Sequence, residues 1–260
     1  MRIVTWNVNS LRARLTRVLE LLAEHGPDVV CLQETKCAPD TFPHEELAQA
    51  GYAAVHHSTG QWAGVALLAR SELELREPRL GLPGEPVATE ARWCEATVAG
   101  IRFASVYVPN GRSLDSPEFA RKLAFLEAMA QRASALRPAP RVIAGDLNIA
   151  PSDLDVYDPA AFAQSTHVTP DERLRLGRIL DQGLIDAYRR LHPDEVQFTW
   201  WDYRQGHFHR GLGLRIDLLL IDTQLDAGLV SCGIDRNYRK GSKPSDHAPV
   251  LLELSGQTSG

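Results

Sequence analysis

The sequence has no apolar run near the roughly 18 residues that a membrane-spanning helix needs. Residues 1–30 carry neither an apolar h-region nor a cleavage site, so no secretory signal is expected. The four cysteines, Cys31, Cys37, Cys94 and Cys232, form no Cys-x-x-Cys pair. Zinc and dithiol redox motifs are therefore unsupported. Cys31 and Cys94 lie in apolar runs and are expected to be buried thiols. No Pro/Gly/Ser-rich linker or shift of composition divides the chain. We expect one domain over residues 1–254 and a short, frayed polar tail at 255–260, in a soluble protein of a reducing cytoplasm without membrane contact. No serine, threonine or cysteine stands beside a histidine and an acid in a recognisable nucleophile motif.

Excess positive charge is lacking too. The 28 basic and 33 acidic residues give a net charge of −5. That does not exclude a nucleic-acid substrate. Screening acts over roughly 8 Å at physiological salt, so a local basic patch decides contact. A cluster of carboxylates that holds a cation would lower the formal charge without repelling an anion. With 44% apolar residues, a chain of 260 residues can bury a large core.

The stretch Arg141–Asn148 organises the reading. Val142, Ile143 and Ala144 read as a buried strand that stops at Gly145, where a glycine lets the backbone approach a ligand. Asp146 and Asn148 follow and point the same way if the chain stays extended. Taken in isolation, this is a strand followed by an Asx-type turn. Recurrence changes its weight. Strand Met1–Trp6 ends in Asn7 and Asn9, which again would point one way. Strand Asp28–Leu32 is followed by Glu34, and a carboxylate there needs a partner, water or a cation. Strand Ile101–Val108 leads into Tyr107 and Asn110.

Between these lie an amphipathic helix over Leu11–His25, with Ser10 as N-cap, and a short helix and strand within 44–57. A buried strand covers Gly64–Ala69, and Ala91–Thr97 pairs with the strand from Ile101. The longest helix spans Ser116–Arg137, with its stripe on Phe119, Leu123, Leu126, Ala130 and Ala133. A further helix opens at Thr169–Glu172, with Leu174, Leu176, Ile179 and Leu180 as apolar positions, and Leu184–Leu191 continues as a short helix. Residues 76–90 and 149–170 are the longest irregular stretches.

Phe198–Tyr203 is aromatic and strand-like, and the next acid after Asp202 is Asp217. Arg204, His207, His209, Arg210 and Arg215 lie between them. This is either a surface for nucleic acid, where rings stack on bases and guanidinium groups meet phosphates, or a solvated hairpin over a hydrophobic cluster. Asp217 sits within an apolar run and needs a partner. His247, beside Asp246 and before the last strand Val250–Leu254, is a natural one. The collected groups are rich in oxygen donors and poor in thiols. That suits Mg²⁺ or Mn²⁺ rather than Zn²⁺. Water attacking a phosphodiester is the chemistry that fits.

Six segments, Thr5–Arg12, Leu32–Lys36, Tyr107–Gly111, Gly145–Pro151, Arg215–Leu219 and Lys243–Val250, resemble in order and spacing the motifs of the exonuclease III family. This family lies within the wider endonuclease/exonuclease/phosphatase superfamily, and the resemblance spans residues 1–254. It implies an α/β fold, a four-layer α/β sandwich of two packed mixed β-sheets flanked by helices. It also implies an Mg²⁺-dependent DNA-repair nuclease of the bacterial cytoplasm and nucleoid, working as a monomer. Such an enzyme cuts duplex DNA 5′ to abasic sites and trims 3′ ends.

Residue by residue, the resemblance implies Glu34 as main metal ligand, with Asn7 and Asp246 near it and Asp146 and Asn148 as further candidates. Asp146 would orient or deprotonate the attacking water. Asn148 and His247 would bind the scissile phosphate, and Asp217 would hold His247. Tyr107 would donate to a phosphate oxygen. Asn110, Arg112, Trp200 and Arg210 would contact DNA, with Trp200 against the abasic sugar. Asn9 stands where relatives of the human enzyme type carry an aspartate. Two alternatives remain: a phosphatase or phosphodiesterase of the same superfamily with a non-DNA substrate, and a DNA-binding module without catalysis.

Overall fold

A computed structural model describes residues 1–255. Two six-stranded sheets carry the molecule. The first has the order β11-β12-β1-β2-β4-β3 and the second β5-β6-β7-β8-β10-β9. Their strands are β1 (Arg2–Asn7), β2 (Val29–Gln33), β3 (Tyr52–His57), β4 (Val65–Arg70), β5 (Arg76–Leu80), β6 (Trp93–Val98), β7 (Ile101–Tyr107), β8 (Arg141–Asp146), β9 (Leu184–Asp186), β10 (Asp217–Asp222), β11 (Leu229–Ile234) and β12 (Val250–Leu254). Each sheet is mixed: β1–β2 and β7–β8 are parallel, and the other pairs are antiparallel.

Alternation along the central strands makes the layers. Ile3, Val29, Cys31, Leu67, Cys94, Phe103, Val142 and Leu219 point between the sheets and form one core. Val4, Trp6, Val30 and Leu32 point the other way, against helix α1 (Leu11–His25). Val106, Ile143, Leu218 and Leu220 pack under α3 (Pro117–Ala135) and α5 (Pro170–Leu180). Strands buried on both faces read as continuous apolar runs, which is why the sequence shows them so clearly. Each such side chain contributes about 1.5–3 kcal/mol by leaving water. The four-layer expectation holds. No helix among the described residues is long and apolar enough to cross a membrane.

Helix ends follow their caps. Ser10 accepts from the Ala13 N–H, Gly26 closes α1 in the left-handed conformation, and a reciprocal Thr169–Glu172 capping box opens α5. The buried stripe of α3 is Lys122, Phe125, Leu126, Ala128, Met129, Ala130 and Ala133, which includes Leu126, Ala130 and Ala133 of the expected one but not Phe119 or Leu123. On α5, Leu174 is exposed rather than buried. The shorter helices are α2 (His44–Gln49), α4 (Pro159–Phe162), α6 (Ala187–Leu191) and α7 (His207–Arg210).

Four expectations change. Arg76–Leu80, read as irregular, is the edge strand β5, all of it exposed, so no apolar signal marks it. Leu184–Asp186 is strand β9 paired with β10, and helix α6 begins only at Ala187. Phe198–Tyr203 forms no strand. Trp200 makes single bridges to Leu214 and His247. The tail begins tethered, with the Ser255 N–H donating to the Gly228 carbonyl at 2.7 Å. Residues 256–260 of the expected tail lie outside the described residues.

Candidate active site

Topology sets the site. The carboxyl ends of β1, β2, β7 and β8 lie at one edge of the sandwich, where α/β proteins collect ligands. Register does the rest: Asp146 stands opposite Asp217 across β8–β10 and beside Tyr107 across β7–β8. Gly145 is required by close approach, since a Cβ there would lie 1.9 Å from the Val106 carbonyl oxygen. What comes close is the neighbouring strand, not a ligand as the sequence suggested.

Neither polar pair is extended. Asn148 has φ 51° and its N–H donates to Asp146 Oδ1 at 2.9 Å. Asn9 has φ 44° and its N–H donates to Asn7 Oδ1 at 3.0 Å. Both are Asx turns, and the short side chains tolerate the left-handed backbone. The turn that Arg141–Asn148 suggests in isolation is therefore real, and it aims the polar groups. Asn7 turns inward, whereas Asn9 turns towards Asp246 and Lys36.

At the centre, the Asn7 Nδ2 group donates to Glu34 Oε1 at 2.7 Å and to Asp146 Oδ2 at 2.9 Å. His247 Nε2 lies 3.8 Å from Asp146 Oδ2, and its Nδ1 lies 2.8 Å from Asp217 Oδ2. Asp217 is anchored by the Thr199 hydroxyl, which accepts from the Ile216 and Asp217 N–H groups. The Trp6 indole donates to the His247 carbonyl at 3.0 Å. Asn7, Asp146, Asn148, Asp217 and His247 are all buried. A further tie lies below: Gln33 Nε2 donates to Thr5 Oγ1 and Ser105 Oγ, and Ser105 donates to the Leu32 carbonyl, joining β2 and β7 across the sheets.

Burial and like charge set the protonation states. Asp146 is pushed up to about 7, first by burial and then by the Asp217 and Glu34 carboxylates, against the opposing pull of His247. Burial alone would lower His247. The Asp217 and Asp146 charges outweigh it and lift the imidazole to about 10. His247 is thus an imidazolium at neutral pH, donating through Nδ1 to Asp217 and presenting Nε2–H to the site. Burial and the Glu34 and Asp146 charges keep the Tyr107 phenol well above its ordinary value, so it is a donor.

Carboxylate oxygens of Glu34 and Asp146 and a ring nitrogen of His247 lie within 4.8 Å of one another, and of these the two carboxylates have the lone pairs to hold a cation beside an imidazolium. The Lys36 ammonium already sits 2.7 Å from Glu34 Oε2, so the position favours a cation. Two carboxylates at such a place suit a hard ion. As placed, Asn7 gives its NH₂ face to the carboxylates. Asp246 lies to one side, accepting from Asn9 Nδ2 at 3.0 Å and from Trp200 Nε1 at 3.1 Å.

Asn148 anchors its amide on the Val108 carbonyl and takes contacts from Asn110 Nδ2 at 3.2 Å and His167 Nε2 at 3.0 Å on its Oδ1. Arg112 and Arg210 are exposed, and Arg112 reaches Glu118 at 3.6 Å. The aromatic segment mostly serves the fold. Trp201 is buried, and Arg236 and Arg239 lie over Trp201 and Phe208.

Sequence reasoning missed His167, Lys36, Lys122 and Glu172. His167 lies in a turn with no pattern to mark it, and burial and the Lys122 charge drop it to about 3, so it is neutral. Lys36 had a signal, its place two residues after Glu34.

The sequence model of the endonuclease/exonuclease/phosphatase family matches residues 4–247. Exodeoxyribonuclease III of Haemophilus influenzae is 33% identical over 98% of this chain and 100% of its own. The fold matches that of the 3′ phosphatase NExo from Neisseria bound to a product DNA hairpin (TM-score 0.95, 39% identity, 98% and 100% of the two chains). It equally matches an AP endonuclease from Archaeoglobus fulgidus (TM-score 0.94, 35% identity, 98% and 100%). Motifs, fold and relatives agree: the chain belongs to the endonuclease/exonuclease/phosphatase family, in its exonuclease III group.

Proposed function

We propose that the chain is a DNA-repair hydrolase that uses a divalent cation, Mg²⁺ or Mn²⁺, to cleave phosphodiesters 5′ to abasic sites and to trim 3′ ends of duplex DNA. The observation that carries the reading is the line Asp217–His247–Asp146 beside Glu34, a buried acid, imidazolium and high-pKa carboxylate at one edge of the sheets. Its relatives named exodeoxyribonuclease III, AP endonuclease and 3′ phosphatase support a DNA phosphoester as substrate.

Glu34 would hold the cation, with Asp146 next to it, Asn7 fixing both carboxylates, and Asp246 close by. Bound there, a divalent cation supplies charge neutralisation at a phosphate oxygen. Asp146, 3.8 Å from the His247 ring and bound by Asn7, accepts the proton of the attacking water. The His247 imidazolium donates Nε2–H to a non-bridging phosphate oxygen, and its charge meets the charge that develops there. Tyr107 and Asn148 add neutral donors, and Asn110 binds the neighbouring backbone. Trp200 and Arg112 line the DNA side, and Arg210 adds an exposed charge for phosphate.

The test is cleavage of two end-labelled duplexes, one with a single tetrahydrofuran abasic analogue and one with a recessed 3′ end, with Mg²⁺ and with EDTA. A single metal-dependent cut 5′ to the analogue and a ladder from the 3′ end are expected. Turnover of inositol phosphates with neither duplex cut would overturn the assignment to DNA. Tight DNA binding without any cleavage would point to the binding-module alternative.

A further inference from the structure

Beneath the candidate phosphate-binding amides lies an ion pair whose members are both fully buried, Lys122 on α3 and Glu172 on α5. Lys122 Nζ donates to the Asn148 carbonyl at 2.6 Å, to Thr166 Oγ1 at 3.0 Å and to the Asn110 carbonyl at 3.2 Å, besides its contact with Glu172. Glu172 Oε1 accepts from the Thr166 hydroxyl at 2.8 Å and the His167 N–H at 2.9 Å. Its Oε2 accepts from the Thr169 N–H and hydroxyl at 2.9 and 2.7 Å. One pair thus grips three loops: that after β7, that after β8, and the turn 166–169.

Those loops carry the three side chains that meet above it. Asn110 Nδ2 lies 3.2 Å from Asn148 Oδ1 and from His167 Nε2, and His167 Nε2 lies 3.0 Å from Asn148 Oδ1. Packing is close on the flank. A Cβ on Gly111 would lie 2.9 Å from Thr166 Oγ1 and 3.0 Å from Lys122 Cδ. A buried ion pair is a poor device for stability, since well-packed apolar residues of like volume often do as well or better. An ammonium differs from them in having three N–H groups to fix carbonyl oxygens.

We infer that Lys122 and Glu172 are positioning residues for phosphate engagement. Their pair sets the separation and aim of Asn110, Asn148 and His167, and so the placement of the scissile phosphate relative to Asp146 and His247. This rests on the function proposed above. Neither residue touches substrate.

The experiment compares wild type with Lys122→Met/Glu172→Gln, Lys122→Arg and, as a stability control, Arg132→Gln at the ion cluster around Glu95. Melting temperature, kcat and KM on the recessed duplex, and the ¹H–¹⁵N signals of the asparagine side chains are read. We expect the double variant to lose about 10–10²-fold in kcat per folded molecule, as for a misplacement approaching 1 Å, with KM changed less than about threefold. Lys122→Arg should fall between, because a planar fork cannot direct donors as an ammonium does. The Asn110 and Asn148 amide signals should move. Arg132→Gln should lose melting temperature without losing kcat. If the double variant does not fold, Thr166→Val keeps both charges and removes only the shared hydroxyl, and a kcat loss of about 3–10-fold is expected. A kcat within twofold of wild type with unmoved amide signals, in whichever variant folds, overturns the inference. Should wild type itself cut no DNA, the functional reading falls separately. The amide signals then decide: movement supports the positioning role, and no movement ends it.

Discussion

Replacing Asp217 by Asn removes one charge and little else. The side chain keeps its volume, and the backbone N–H groups of Ile216 and Asp217 stay bound to Thr199 Oγ1 at 3.1 Å. What is lost is the 2.8 Å charge-assisted contact to His247 Nδ1, in a site where both residues are buried. Such a hydrogen bond contributes about 1.5–3 kcal/mol, which converts to roughly 10–150-fold in rate if it is felt fully in the transition state. Asp146 remains 3.8 Å from the ring, but on Nε2, where it cannot orient Nδ1. The imidazole is then less charged and free to flip. We expect kcat on the recessed duplex to fall about 10²-fold, with KM changed less than about threefold, because the loss concerns charge that develops during cleavage. Single-turnover kinetics, with the folded fraction checked by melting, measure it. A loss of less than threefold in a folded variant would refute the claim that Asp217 acts through His247.

Gly145→Ala should destabilise by about 3 kcal/mol or more, since the new Cβ would meet the Val106 carbonyl oxygen at 1.9 Å and part β7 from β8. Chemical denaturation reads this, and an unchanged midpoint would contradict the register given for these strands. Arg132→Gln should make the protein less stable at neutral pH and its stability less dependent on acid. Burial would raise the fully buried Glu95, but its hydrogen bonds with Arg132 and Arg102 outweigh this and hold it below its ordinary 4.5. A depressed carboxylate contributes stability that is fully present above its unfolded pKa and lost as pH falls through the folded value. Weakening the cluster raises the folded value. The variant should therefore be less stable at pH 7, and its melting curve should converge on that of wild type as both approach the acid limit. Parallel curves down to that limit would contradict the assignment.

Much of this site is legible in the sequence because the strands that carry it are buried on both faces. Asn7, Glu34, Tyr107 and Asp146 each follow an apolar run too long to be accidental, and Asp217 interrupts one. The edge strands give no such signal: β5 is wholly exposed, and β9 is three residues long. Lys122 and Glu172 escape for another reason. A lysine within a helix and an acid in a capping box each have an ordinary local explanation, and only the tertiary fold brings them together away from water. The turn at Asn9 escapes as well, since a two-residue spacing has a fixed direction only in an extended chain, whereas the turn at Asn148 is the Asx-type one its own stretch suggests.

The most direct measurement is binding and cutting of the same labelled duplex by wild type and by Asp146→Asn, in Mg²⁺. The variant should bind within about threefold of wild type but cut about 10²–10⁴-fold more slowly, as expected when a general base is removed. Equal cutting rates would show that Asp146 does not take the proton from water, and the central claim about this site would fail.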